Sequence, residues 1–140
     1  MSNKWIISFE LTIVDRDAAN PCSIIRFTNG GNFGVYGNRS PAIFLVSNAQ
    51  IYCVNSVNGD ASWSRKFAPP QNDEILNVEL HQRYISNGNY RYFIKINGVE
   101  VSSVVNSDAR QFYNVTVYTS DPWHTACQGY IRNLYFTNFF

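Results

Sequence analysis

The sequence predicts an all-β fold, an antiparallel sandwich or barrel, in one domain covering residues 1–140. Three observations carry this. Apolar and polar residues alternate with a period of two through nearly every run, the period of a strand with one buried face. Turn-forming residues punctuate the chain at intervals of roughly 8–12 residues, as they do in sandwiches and barrels. No run repeats its apolar residues at helical spacing, so nothing helical is expected beyond a single turn over 107–112.

The elements follow in order. In "KWIISFELTIV" the residues Trp5, Ile7, Phe9, Leu11 and Ile13 alternate with mostly polar neighbours, which makes a long half-buried strand. "CSIIRFT" (22–28) is the next strand. "TNGGNFGVYGNRSP" (28–41) then interrupts the pattern as a long loop whose glycines permit turns. "AIFLVS" (42–47) and "QIYCVNSV" (50–57) resume it. Asn58-Gly59 turns the chain into "ASWSRKF" (61–67), which Pro69 and Pro70 end. "EILNVELHQRY" (74–84) places Leu76, Val78 and Leu80 on one face and Glu79, His81 and Arg83 on the other. "SNGN" (86–89) turns into "YRYFIKI" (90–96). Asn97-Gly98 is the strongest hairpin signal, because a type I′ turn needs positive φ at both central residues. "VEVSSVV" (99–105), "QFYNVTVYTS" (111–120) and "GYIRNLYFTNFF" (129–140) bring the total to about ten strands.

Composition excludes several functions. The formal charge is +1, from 11 basic and 10 acidic residues, with no charge block. Nucleic-acid backbone binding needs clustered Lys and Arg, so that partner is set aside. No apolar run approaches the roughly 18 residues of a membrane-spanning helix. The start, "MSNKWIISFEL", lacks the apolar core and small-residue cleavage site of a signal peptide, which reads as a mature secreted form or as a chain of cytosolic origin. Charged residues make up 15% and aromatics 16%, and asparagine occurs 17 times. A surface that hydrogen-bonds through neutral groups is expected, and an extracellular location is the reading adopted. Of the three cysteines, Cys53 sits in an apolar run and reads as a buried thiol. Cys22 and Cys127 lie at element edges, and pairing with each other or across a dimer is left open. With no C-x-x-C and only His81 and His124, no zinc site is expected.

Three segments, in order, resemble a known superfamily. "ACQGYIRNLYFTN" (126–138) is similar to the closing strand of laminin G-like domains. "IIRFTN", a loop, then "AIFLVSNAQIYCVN" resembles consecutive strands of the same jelly roll. "LNVELHQRYISNGNYRYFIKINGVEV" resembles its strand–turn–strand unit ending in an "NG" hairpin, a unit galectins share. The resemblance implies a concanavalin A-like jelly roll, a two-sheet antiparallel β-sandwich of the kind found in galectins, laminin G-like domains, pentraxins and some glucanases. The galectin sugar motif is not intact: only Trp63 with Arg65 resembles its last part. The acidic E-x-D-x-x-E pattern of the related glucanases is absent, and Glu10, Glu79 and Glu100 stand on three separate strands. No enzymatic activity is expected.

The glycine loop has phosphate-loop spacing, but a strand rather than a helix follows it, so it lacks the helix N-terminus a phosphate needs. Sugar recognition fits better. A sugar presents a fixed array of hydroxyls and an apolar C–H face, matched by amides, carboxylates, an Arg and an aromatic ring. Two loops offer these groups: Asn32, Tyr36, Asn38 and Arg39 in the first, and Asp121, Trp123 and His124 in "SDPWHTACQG" (120–129). Trp63 is a third candidate aromatic. The function expected is therefore that of a lectin, galactose-type by the resemblance, with a laminin G-like protein-interaction module as the alternative. A homodimer would add avidity. No cofactor is required, and calcium, which several relatives use, is left open with Asp60, Asp73 and Asp121 as loop candidates. Asn38 and Asn114 stand in N-glycosylation sequons.

Overall fold

The structure, a computed structural model, describes every residue but Ala19. Ten strands form: β1 (Trp5–Asp15), β2 (Cys22–Thr28), β3 (Ala42–Val46), β4 (Gln50–Val57), β5 (Asp60–Phe67), β6 (Ile75–Ser86), β7 (Asn89–Ile96), β8 (Val99–Asn106), β9 (Thr116–Tyr118) and β10 (Gln128–Asn138). They make two five-stranded antiparallel sheets, ordered β10-β1-β6-β7-β8 and β5-β4-β3-β2-β9. The period-two pattern gives each sheet one apolar face, and the two faces bury each other.

The core follows the alternation residue by residue. Trp5, Ile7, Phe9, Leu11 and Ile13 of β1 all point inward and are buried, as are Leu76, Val78 and Leu80 of β6. Opposite them lie Ile25, Phe27, Ile43, Leu45, Ile51 and Cys53. Each such Ile, Leu or Phe contributes about 1.5–3 kcal/mol by leaving water. Cys53 is buried and unpaired, as its apolar surroundings predict. Three Asn-Gly hairpins set the strand registers, with positive φ at both residues in 58–59, 87–88 and 97–98.

Two expectations are corrected. Residues 107–112 form no helical turn, and a short 3-10 turn stands instead at Ser47–Ala49. The strand expected over 111–120 shrinks to Thr116–Tyr118. Its first half is engaged elsewhere: Phe112 N donates to Met1 O at 2.9 Å, and Asn114 takes φ 52°. Asn114 is therefore an exposed loop residue rather than a strand residue.

The second sheet has an outer face as well as an inner one. Ala42, Phe44 and Val54 are buried there, with Val46 and Tyr52 packed against them. A sheet face is buried only when something covers it, and two loops do so.

Candidate functional site

The loop over 28–41 folds back onto the end of β2. Ser40 N donates to Phe27 O at 3.0 Å, and Asn29 N to Gly37 O at 3.1 Å, so the loop closes on itself. Asn38 holds its interior: its Oδ1 accepts from Gly31 N at 3.2 Å and its Nδ2 donates to Phe33 O at 3.1 Å. A Cβ on Gly31 would lie 2.5 Å from Asn38 Nδ2 and would push that side chain out of its bonds. Gly37, at φ 99°, donates its N–H to Ser56 Oγ at 3.0 Å, and a Cβ there would lie 2.6 Å from Asn29 Nδ2 and from Phe112. The glycine spacing thus serves loop closure.

The second loop is strapped to the other side of β2. Cys22 and Cys127 form a disulfide, which settles the pairing the sequence left open. Ser23 N donates to Thr125 O at 2.8 Å, and Ser120 N to Ile24 O at 3.0 Å. These bonds seat Asp121 beside Ser23, whose Oγ donates to Asp121 Oδ2 at 2.9 Å. Asp121 Oδ1 accepts from Trp123 N at 2.9 Å and lies 2.8 Å from His124 Nδ1. Burial pushes the Asp121 carboxyl up, but bonds from His124, Ser23 and Trp123 N–H, with the charge of Arg26, outweigh it and hold the pKa below the ordinary value. An ionised carboxylate only accepts, so the Nδ1 of His124 carries a proton and donates it to Asp121.

Arg26 on β2 joins the two loops. Its guanidinium is 0% exposed and lies 2.9 Å from Asp121 Oδ2, a charge contact off the hydrogen-bond line. Its Nη1 donates to Asn32 O at 2.9 Å and to Asn32 Oδ1 at 3.0 Å. Arg39 grips the same asparagine, Nε to Asn32 O at 2.9 Å and Nη2 to Oδ1 at 3.2 Å. Burial, opposed by Asp121 and assisted by Arg39, brings the Arg26 pKa down to about 10. Phe44 is the pedestal: the Arg26 and Arg39 guanidinium carbons lie 5.3 and 5.2 Å from its ring centroid. His124 meets Phe44 edge-on at 5.0 Å. Arg26 also stacks on Trp123 at 4.9 Å, and Arg39 on Phe33 at 5.7 Å.

The two loops therefore meet over the outer face of the second sheet. Phe33 is 67% exposed, Trp123 39% and the His124 side chain 21%, with half-exposed Asn32, Arg39 and Tyr52 between. Asp121 and Asn38 are buried and committed to internal bonds, so they hold the two loops in place rather than facing the surface. Tyr36 points away: its hydroxyl donates to Asp108 O at 2.5 Å, and its ring packs on Phe112. Trp63 packs edge-on against core residue Tyr92 at 5.6 Å and does not join the loops. The residues the sequence missed are Arg26, Phe33, Phe44 and Tyr52. The loop acids offered for calcium do not gather: among the described residues no three His, Cys, Asp or Glu groups cluster.

Two acids from separate strands meet on the first sheet's outer face. The register sets Ser8 opposite Glu79 and Glu10 opposite Asn77, so Glu10 and Glu79 are diagonal neighbours. They line an open groove of about 450 Å³ with Asn77, His81, Asn133 and Tyr135. Glu79 is held by His81 Nε2 at 2.8 Å.

No family model matches the chain, and no curated protein does. Among solved structures it is similar to a native heptameric SAP-like pentraxin from Limulus polyphemus, with TM-score 0.55 and 10% identity over 96% of this chain and 64% of that one. The chain thus spans a little under two thirds of that pentraxin's length. At this identity the likeness shows the fold alone: a two-sheet antiparallel jelly-roll β-sandwich.

Proposed function

We propose that the chain is a carbohydrate-binding domain, a lectin without catalytic activity, and that it binds sugar on the outer face of the second sheet. One observation carries the reading: two loops converge on Arg26 and Asn32 and present exposed aromatic rings beside Arg39 and His124. Phe33 and Trp123 supply surfaces for the apolar face of a sugar ring. The free donors of Arg39, the partly exposed His124 ring and the Tyr52 hydroxyl supply donors and acceptors for hydroxyls. Asp121 and Arg26 act from beneath, fixing where those groups stand before a ligand arrives, which lowers the cost of ordering them on binding. The binding groups are organic side chains, with no metal assigned. The Cys22–Cys127 disulfide fits a chain folded in an oxidising compartment and hence an extracellular role. Pairing into a dimer would raise the weak affinity of one site.

A glycan array, galactose-type sugars included, followed by titration of Trp123→Ala and Arg39→Lys, tests this. Binding that falls in both variants supports the site. A blank array at high protein concentration refutes it.

A different observation favours a second reading, a protein-interaction module. Leu134, Tyr135 and Phe136 on edge strand β10 are all exposed, with an unpaired backbone edge alongside. A partner seated there would bind unaffected by free sugar.

A further inference from the structure

Resting on the saccharide reading, we propose that the sugar this site selects is acidic, carrying a carboxylate or sulfate group held between Arg39 and Lys66. The register aligns Lys66 of β5 with Tyr52 of β4 and Phe44 of β3 across the outer face. Neighbouring strands stand about 4.8 Å apart, so the row from Lys66 to Phe44 covers about 10 Å. Lys66 Nζ lies 5.8 Å from the Tyr52 ring centroid, and the Arg39 guanidinium lies 5.2 Å from that of Phe44. The rings of Phe44 and Tyr52 are 6.4 Å apart, which makes the whole row continuous.

Neither cation makes an ion pair, although the buried charge of Asp121 lies near Arg39. Among the described residues, the ion pairs use Arg26, His81, Arg91, Arg110 and His124, and leave Arg39 and Lys66 out. The carboxylate that the two loops bring to this face, Asp121, is fully buried and shared by Arg26, Ser23, His124 and Trp123 N–H. Arg39 spends Nε and one hydrogen of Nη2 on Asn32, leaving three of its five donors for a ligand. Lys66 is exposed with its three donors free of protein partners. A site with two unpaired cations and few acceptors favours a ligand that brings negative charge, and the planar Arg fork suits a carboxylate or sulfate oxygen pair. Two cations on an aromatic row do not make the long basic stripe that a nucleic-acid backbone needs.

The test is calorimetric titration of the disulfide-bonded chain with galactose, galactose 6-sulfate, galacturonic acid and inorganic sulfate. Either acidic sugar should bind at least about tenfold more tightly than galactose, as a charge-assisted bond requires. The preference should shrink as salt rises from about 50 to 500 mM. Lys66→Gln should remove most of the preference while leaving galactose binding and thermal stability in place. Lys95→Gln, on the other sheet, should change nothing. Comparison of the two acidic sugars tells sulfate from carboxylate. Galactose binding as tight as either acid would overturn the proposal and leave the saccharide reading standing, as would a preference that survives Lys66→Gln. Inorganic sulfate matching the sulfated sugar would also overturn it. Silence from every sugar would remove both readings together.

Discussion

Asp121→Asn tests the joint between the two loops. The carboxylate contacts Arg26, Ser23, Trp123 N–H and His124, all within 2.9 Å. The amide is nearly isosteric but carries no charge, so it strands a fully buried guanidinium. Breaking a buried pair from one side costs about 3–5 kcal/mol. With an unfolding entropy of about 2.1 cal/mol/K per residue, a chain of 140 residues loses roughly 3–4 °C per kcal/mol. The melting temperature should therefore fall by about 10–17 °C, read by calorimetry and urea denaturation at pH 7. Replacing both partners, Asp121→Leu with Arg26→Met, should recover most of the loss, because no charge remains buried alone. The reasoning fails if Asp121→Asn stays within about 1 kcal/mol of the parent, or if the double variant is no better than the single.

The other predictions concern the same framework. Replacing Cys22 and Cys127 by Ser opens a loop of 105 residues and should cost about 2–5 kcal/mol in urea denaturation, with sugar binding weakened because the second loop is untethered. Gly37→Ala, forced to φ 99° and into Asn29 and Phe112, should cost about 1–3 kcal/mol by the same assay. Burial depresses the His81 pKa below 6.5 despite Glu79, so the unfolded chain binds a proton the folded one resists. Stability should then fall as pH drops from 6.5 towards that lower value, and His81→Gln should flatten the slope. Asp121, held below the ordinary carboxylate value, adds stability above about pH 4 that is lost as pH falls through its folded pKa; acid titration of Asp121→Asn should lack that component.

The strands were legible because their signals are local. Alternation in 5–13 places five inward side chains without reference to anything distant, and each Asn-Gly pair fixes its own hairpin. What needed the structure was long-range. Cys22 and Cys127 are 105 residues apart, and nothing near either one indicates the other. Trp63 and Tyr36 resembled ligand groups by residue type, yet the edge of the core and the 106–112 segment claim them. Asp121 looked like a sugar contact, but burial against Arg26 makes it a support. One sequence signal does point to the site: "AIFLV" (42–46) is an unbroken apolar run, the mark of a strand covered on both faces. It announces that something lies over Phe44. Arg26, the one charge inside the strand "CSIIRF", calls for a buried anion in the same way.

The most direct measurement is an amide and side-chain nitrogen–proton NMR titration with the best sugar from the array. If the outer face of the second sheet binds it, the Trp123 indole N–H, the Arg39 Nε–H and the amides of Asn32 and Phe33 shift together. Tyr135, Asn133 and the amides around Glu79 on the opposite face stay still. Shifts confined to that opposite face, or to edge strand β10, would contradict the account.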